Sequence, residues 1–179
     1  MKHDAQRKGG HFIQISKAVL ADAAAIARVH VDSWKTTYAN IIPDEYLKAQ
    51  SYEQRERLWM EVIPKNIVFV AANEEGSIVG FADGGSERSG NYPQFDGQLN
   101  AIYVLQAYQG QGLGKRLVQS VVHELKQNGM KSMLVHVLEA NPSRTFYEGL
   151  GGKLVDSFEV DFAGEKLTEL VLGWDINGF

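Results

Sequence analysis

The rhythm of apolar positions changes most sharply between Gln98 and Gly129. Leu99, Ala101, Tyr103 and Leu105 interleave with Ile102 and Val104, so both faces of this segment are apolar, the pattern of a strand covered on two sides. From Leu113 the period lengthens. Leu113, Leu117, Val121 and Leu125 recur every fourth residue and line one face of a helix, which Asn128 and Gly129 stop. Gln109, Gly110, Gln111, Gly112, Leu113 and Gly114 lie between the two patterns, followed by Lys115 and Arg116.

The remaining chain divides by the same criteria. Phe12 to Lys17 alternates and predicts a short strand. The alanine-rich stretch from Ala21 to Tyr38 predicts a helix that places His30, Trp34 and Tyr38 on one side. Pro43 opens a short helix, and Ser51 with Gln54 has capping-box spacing for a helix from Tyr52 to Val62. Ile67 to Ala72 and Ser77 to Gly84 predict a hairpin, and Gly85 to Gly97 reads as a long loop. Lys131 to Leu138 is a further buried strand, so strand, crossover helix and strand form a right-handed parallel unit. Asn141 is a good N-cap for a helix with Pro142 in first position, ended by the glycines near 149 to 152. Lys153 to Phe162 and Lys166 to Trp174, turning at Ala163 and Gly164, complete the chain as a hairpin.

Three glycines at a helix start let backbone N–H groups approach a ligand without Cβ atoms in the way, at the positive end of the helix dipole. The fitting ligand is a phosphate or pyrophosphate. A Walker loop is excluded, because Gln109 replaces its first glycine and Arg116 its magnesium-binding hydroxyl. A dinucleotide fingerprint needs G-x-G-x-x-G on a first strand, and the glycines here run G-x-G-x-G in mid-chain.

Gln109, Gly112 and Gly114 do match Q-x-x-G-x-G directly after a buried strand. This resembles the pyrophosphate-binding motif of the GNAT superfamily of N-acetyltransferases, which bind acetyl-coenzyme A. A second block, Asn141, Phe146, Tyr147, Leu150 and Gly151, resembles the family's asparagine, Phe-Tyr and Leu-Gly pattern in the expected order. The resemblance spans roughly Phe12 to Trp174. It implies a single α/β domain with a central mixed, mostly antiparallel sheet, a parallel pair splayed at the acetyl-coenzyme A site, and helices on both faces.

The resemblance also implies roles. Ile102, Tyr103 and Val104 would receive the pantetheine arm, and Gln109, Gly110, Gln111, Gly112, Leu113, Gly114 and Lys115 would hold the pyrophosphate, with Asn141, Arg144 and Phe146 also on the cofactor. Tyr147 matches the tyrosine that protonates the departing thiolate; by itself it suits packing beside Phe146 equally well. The helical region VHVDSWKTTYANIIPDEYL covers the acceptor site in related proteins, which makes Trp34 and Tyr38 acceptor-pocket residues; Asp83, beside the long loop, reads as a solvated carboxylate that could also attract a cationic amine. Trp34 suits the core as well. The general base stays open among His136, Glu139, Asp83 and a water chain, since Asn100 stands near the place where some members carry a glutamate and an amide is no base. The function expected is acetyl transfer to a primary amine, of a small molecule or a peptide, in a ternary complex. The alternative is a module that senses acyl-coenzyme A without turnover.

Composition narrows the chemistry. There are no cysteines in 179 residues, which excludes disulfides, thiolate metal sites and a cysteine acyl-enzyme. No metal is expected. A net charge of −4 gives no electrostatic reason for nucleic-acid binding. No apolar run approaches the roughly 20 residues that span a bilayer, so no membrane partner is expected. Residues 1–11 are polar and read as a flexible leader rather than a secretory signal, residues 12–179 as one domain, and the location as cytoplasmic. The apolar terminal hairpin offers an edge on which a homodimer could form.

Overall fold

The computed structural model describes residues 12–179, and the leader expected over 1–11 lies outside the described residues. The strands are β1 (Gln14–Lys17), β2 (Ile67–Ala72), β3 (Ile78–Ser86), β4 (Gly97–Val104), β5 (Ser132–Leu138), β6 (Lys153–Phe162) and β7 (Glu165–Asp175). The helices are α1 (Ala23–Thr37), α2 (Asp44–Lys48), α3 (Tyr52–Val62), α4 (Leu113–Gln127) and α5 (Arg144–Gly149). The strands form one seven-stranded sheet in the order β1-β2-β3-β4-β5-β7-β6, in which only β4 and β5 run parallel. The mixed, mostly antiparallel sheet expected from the sequence is therefore present, with β1 at one edge and β6, the outer strand of the terminal hairpin, at the other.

Helices cover both faces. On one face α4 lays Leu113, Leu117, Val121 and Leu125 against Leu99, Met133 and Val135, so the period-four stripe is the buried stripe. On the other face Ile26, Ala27 and Val29 of α1 and Trp59 of α3 close over Val68, Val70 and Phe81. Ser51 Oγ accepts the Gln54 backbone N–H at 3.4 Å, as the capping-box spacing required.

Three expectations need correction. The loop after β3 spans only 87–96, because β3 continues through Gly84 and Gly85 to Ser86. Gly84 is there for packing: a Cβ would run into Val121 of α4. The N-terminal helix begins two residues later than expected, behind a 3-10 turn at Leu20–Asp22. Asn141 does not cap α5. The helix starts at Arg144, and the Asn141 side-chain oxygen instead accepts the Ser143 N–H at 2.9 Å, stabilising the turn that precedes it.

The sheet opens in its middle. Parallel pairing of β4 with β5 covers only Gly97–Met133, Gln98–Leu134 and Leu99–Val135. Beyond that β4 stays with β3 and β5 with β7, so the two strands part. A register shift in β3–β4 leaves Asn100 without a partner on β3, and this bulge sits at the fork. Consequently β4 is less covered than its apolar sequence suggests: beyond Leu99 its residues are only half-buried, because one flank faces the opening.

Candidate active site

The opening between β4 and β5 is the mouth of a cleft of about 610 Å³, within the range of small-molecule sites. One wall is β4 from Leu99 to Val104, the other is Val135 to Val137 of β5 with Asn141, Ser143, Phe146 and Tyr147 beyond it. Tyr38, just past α1, closes one side, and the turn from Gln109 to Lys115 closes the far end.

The turn is built by its glycines. Gly110 and Gly112 have φ of +72° and +76°, a region that L side chains occupy only at a cost. Gly112 is the residue from which α4 departs, and the N–H groups of that first helical turn lack partners within the helix. Gly114 answers a different need. A Cβ there would sit 3.3 Å from the Phe146 ring, so glycine lets α4 and the α5 segment close on each other. Gln109 is exposed, but its amide donates to the Val104 carbonyl at 2.8 Å, which ties the turn to the end of β4.

A polar cluster crosses the cleft floor. Tyr38 and Tyr103 hydroxyls are 3.2 Å apart, and the Asn141 amide donates to Tyr38 at 3.5 Å. Tyr147 is buried against Phe146, with ring centroids 5.3 Å apart. Burial first, and the nearby Tyr38 second, push the Tyr147 phenol above its ordinary range, which keeps it protonated. Burial raises Tyr103 likewise. Beneath them His30 stacks on Tyr103 at 5.2 Å and accepts the Trp59 indole N–H on Nδ1 at 3.1 Å. Burial, and then Arg55, lower the His30 pKa to about 3, so it stays neutral and structural.

Of the residues singled out in the sequence, Ile102, Tyr103, Val104, Gln109, Gly110, Gly112, Leu113, Gly114, Lys115, Asn141, Phe146, Tyr147 and Tyr38 all line this cleft. Trp34, Asp83, Arg144, Gln111 and the candidate base Glu139 stand outside its lining. Trp34 packs with Ile42, Leu47 and Tyr38. Asp83 is buried and accepts the Asn66 amide at 2.8 Å; burial raises its pKa. Arg144 pairs with Glu148 at 2.8 Å and Glu139 at 3.8 Å, and Gln111 bonds back to Ala107 at 3.4 Å. Arg116 is likewise occupied, donating to the Ile13 carbonyl at 2.9 Å. Thr37, Tyr108, Ser143 and Thr145 line the cleft without having been singled out; as ordinary helix-end and turn residues they carried no periodic or motif signal.

A forked parallel pair closed by a glycine turn at a helix start makes an α/β domain with a cleft suited to a phosphate-bearing ligand, and comparison with known proteins gives the family. Residues 28–152 match the acetyltransferase (GNAT) family model, and the chain belongs to that family. It is 43% identical over 162 residues to the uncharacterized N-acetyltransferase YuaI of Bacillus subtilis, covering 90% of this chain and 92% of that protein. Identity to the spermidine N(1)-acetyltransferase of Thermoplasma acidophilum is 27% over 164 residues, covering 88% and 98%. Among solved structures, the PaiA N-acetyltransferase of Thermoplasma acidophilum in complex with coenzyme A shares the fold with a TM-score of 0.76 at 20% identity, over 92% of this chain and 99% of that one.

Proposed function

We propose that this protein transfers the acetyl group of acetyl-coenzyme A directly to a primary amine held in the same cleft. The observation that carries the reading is the fork itself: strands that part after Leu99 and Val135 leave main-chain groups of β4 unpaired toward the opening, with the glycine turn at one end and Tyr147 on the wall. Unpaired N–H groups at the start of α4, with Lys115 beside them, suit a pyrophosphate. The freed edge of β4 suits the amide-bearing pantetheine arm, which can pair with it as a strand would.

Tyr147 acts as the acid. Its phenol is kept neutral by burial and is placed on the cleft wall, where it gives its proton to the departing thiolate. With no cysteine in the chain, the acetyl group passes straight to the acceptor nitrogen. The acceptor enters past Tyr38. A primary amine, as in spermidine or a peptide N-terminus, is the acceptor class, in keeping with the activity named for the Thermoplasma acidophilum relative.

The test is calorimetric titration with acetyl-coenzyme A, followed by free-thiol release against a panel containing spermidine, simple alkylamines and peptides with free N-termini. Binding together with amine-dependent thiol release is expected. Binding without release from any acceptor would turn the reading toward an acyl-coenzyme A sensor, and absence of binding would overturn it.

A further inference from the structure

The last pair joining β4 to β5 is Leu99–Val135, so Asn100 and His136 are the first residues beyond the fork on the two strands. Both line the cleft. Asn100 is also the bulge residue of β4. Its amide lies close enough to Asp83 to favour the charged carboxylate, yet neither amide atom reaches hydrogen-bond geometry with a neighbour although both are buried. A buried amide left in this state costs stability unless something else completes it.

His136 has the complementary features. It lies on the face of β5 away from α4, between the rings of Tyr92 and Phe158 at 6.1 and 6.0 Å, and about a quarter of its side chain is exposed. Its Nδ1 lies 3.6 Å from Glu169 Oε2 of β7. A carboxylate on that side favours the proton on Nδ1 and leaves Nε2 with a free lone pair.

We propose that His136 is the general base of the transfer, with Glu169 holding its tautomer. This rests on the reading of the cleft as an acetyl-coenzyme A and amine site. The neutral amine nitrogen attacks the thioester carbonyl carbon; the N–C bond forms and the C–S bond breaks. The nitrogen's proton passes to His136 Nε2, and Tyr147 gives its proton to sulfur. Exchange through solvent returns the imidazolium proton to the Tyr147 phenolate, so amine and thioester become amide and thiol with no net proton change.

The other bases considered are engaged elsewhere. Asp83 is bonded to Asn66 and absent from the cleft lining, and Glu139 is paired with Arg144. The ionisable groups around His136 are Glu169 of β7, Glu87 and Tyr92 of the loop after β3, and Asp156 of β6, which accepts the Tyr92 hydroxyl at 3.0 Å. The phenols of Tyr38 and Tyr103 stay neutral, since burial raises both.

Two measurements test the assignment. In the first, kcat/KM is followed against pH with acetyl-coenzyme A and the amines of the panel, spermidine first. His136→Gln should lower kcat/KM about 100-fold or more and remove the acid limb of the profile, while acetyl-coenzyme A affinity stays within about twofold. An unchanged rate and profile in a folded variant that binds acetyl-coenzyme A would overturn the proposal alone; a wild-type protein that does not bind it would overturn the cofactor reading underneath. The second measurement needs no turnover. Nitrogen-15 NMR of the His136 imidazole should place its proton on Nδ1 in the wild type and lose that preference in Glu169→Gln. A proton on Nε2 in the wild type would overturn the assignment whatever the kinetics.

Discussion

The hydroxyls of Tyr38 and Tyr103 meet at 3.2 Å, which joins the segment just past α1 to the part of β4 that has left its parallel neighbour. The Asn141 amide reaches the same Tyr38 oxygen at 3.5 Å, so one phenol links three segments that wall the cleft. Tyr38→Phe removes that oxygen and almost no volume. The expected loss is about 1 kcal/mol of unfolding free energy, the usual net value of such hydrogen bonding. Denaturant titration checks it, and an unchanged midpoint would mean that the cluster contributes nothing to holding the cleft.

Tyr147→Phe separates chemistry from binding. The ring still packs on Phe146, since only the phenolic oxygen is lost. Turnover should fall by about 100-fold or more, the range for a positioned acid, with acetyl-coenzyme A affinity nearly unchanged. Full activity in the variant would remove Tyr147 from the mechanism.

The sequence made the fork legible through two local signals, the strand-to-helix change around Leu113 and the glycines at 110, 112 and 114. Both are short-range, and the backbone there has the conformations they demand. Long-range consequences were hidden. Asp83 and Arg144 carry charges that suit a cleft, yet Asn66 and Glu148 claim them, and no spacing rule reports such partners. Trp34 shares a helix side with Tyr38 and their rings meet at 4.8 Å, but it is Tyr38, just past the helix end, that reaches the cleft, while Trp34 packs with Ile42 and Leu47. Gly85 and Ser86 read as the start of a loop because their composition is that of a turn, yet they continue β3 in pairing with β4, just past Gly84, whose lack of a side chain serves the close approach of Val121.

Gly112→Asp tests the turn. At φ +76° an L residue pays roughly 1–2 kcal/mol, and no atom stands in the way of its Cβ, so the cost is conformational. The carboxylate also places a negative charge where the α4 N–H groups would meet a pyrophosphate. Calorimetry should find acetyl-coenzyme A affinity reduced by about tenfold or more, each tenfold being about 1.4 kcal/mol. Unchanged affinity would reduce the turn to a packing device.

His30 gives the fold an acid sensitivity whose sign follows from its environment. Burial and Arg55 bring its pKa from 6.5 to about 3 in the folded chain. Between those values the unfolded chain takes up a proton that the folded chain refuses, so stability falls as pH drops from about 6.5 toward 3, by about 1.4 kcal/mol per unit. From pH 6.5 to 5 that is about 2 kcal/mol. Asp83 works in the opposite direction, because its raised pKa lets the folded chain take up a proton first as the pH falls. In His30→Gln the Asp83 contribution is retained and only that of His30 is lost, while the new amide oxygen can still accept the Trp59 N–H. The variant should be less stable at pH 7, since His30 packs on Tyr103, Trp59 and Phe81, but its stability should decline less between pH 6.5 and 5. Denaturant unfolding of both proteins across that interval decides it: converging curves are expected, and parallel curves would show that His30 titrates in the folded chain much as it does in water.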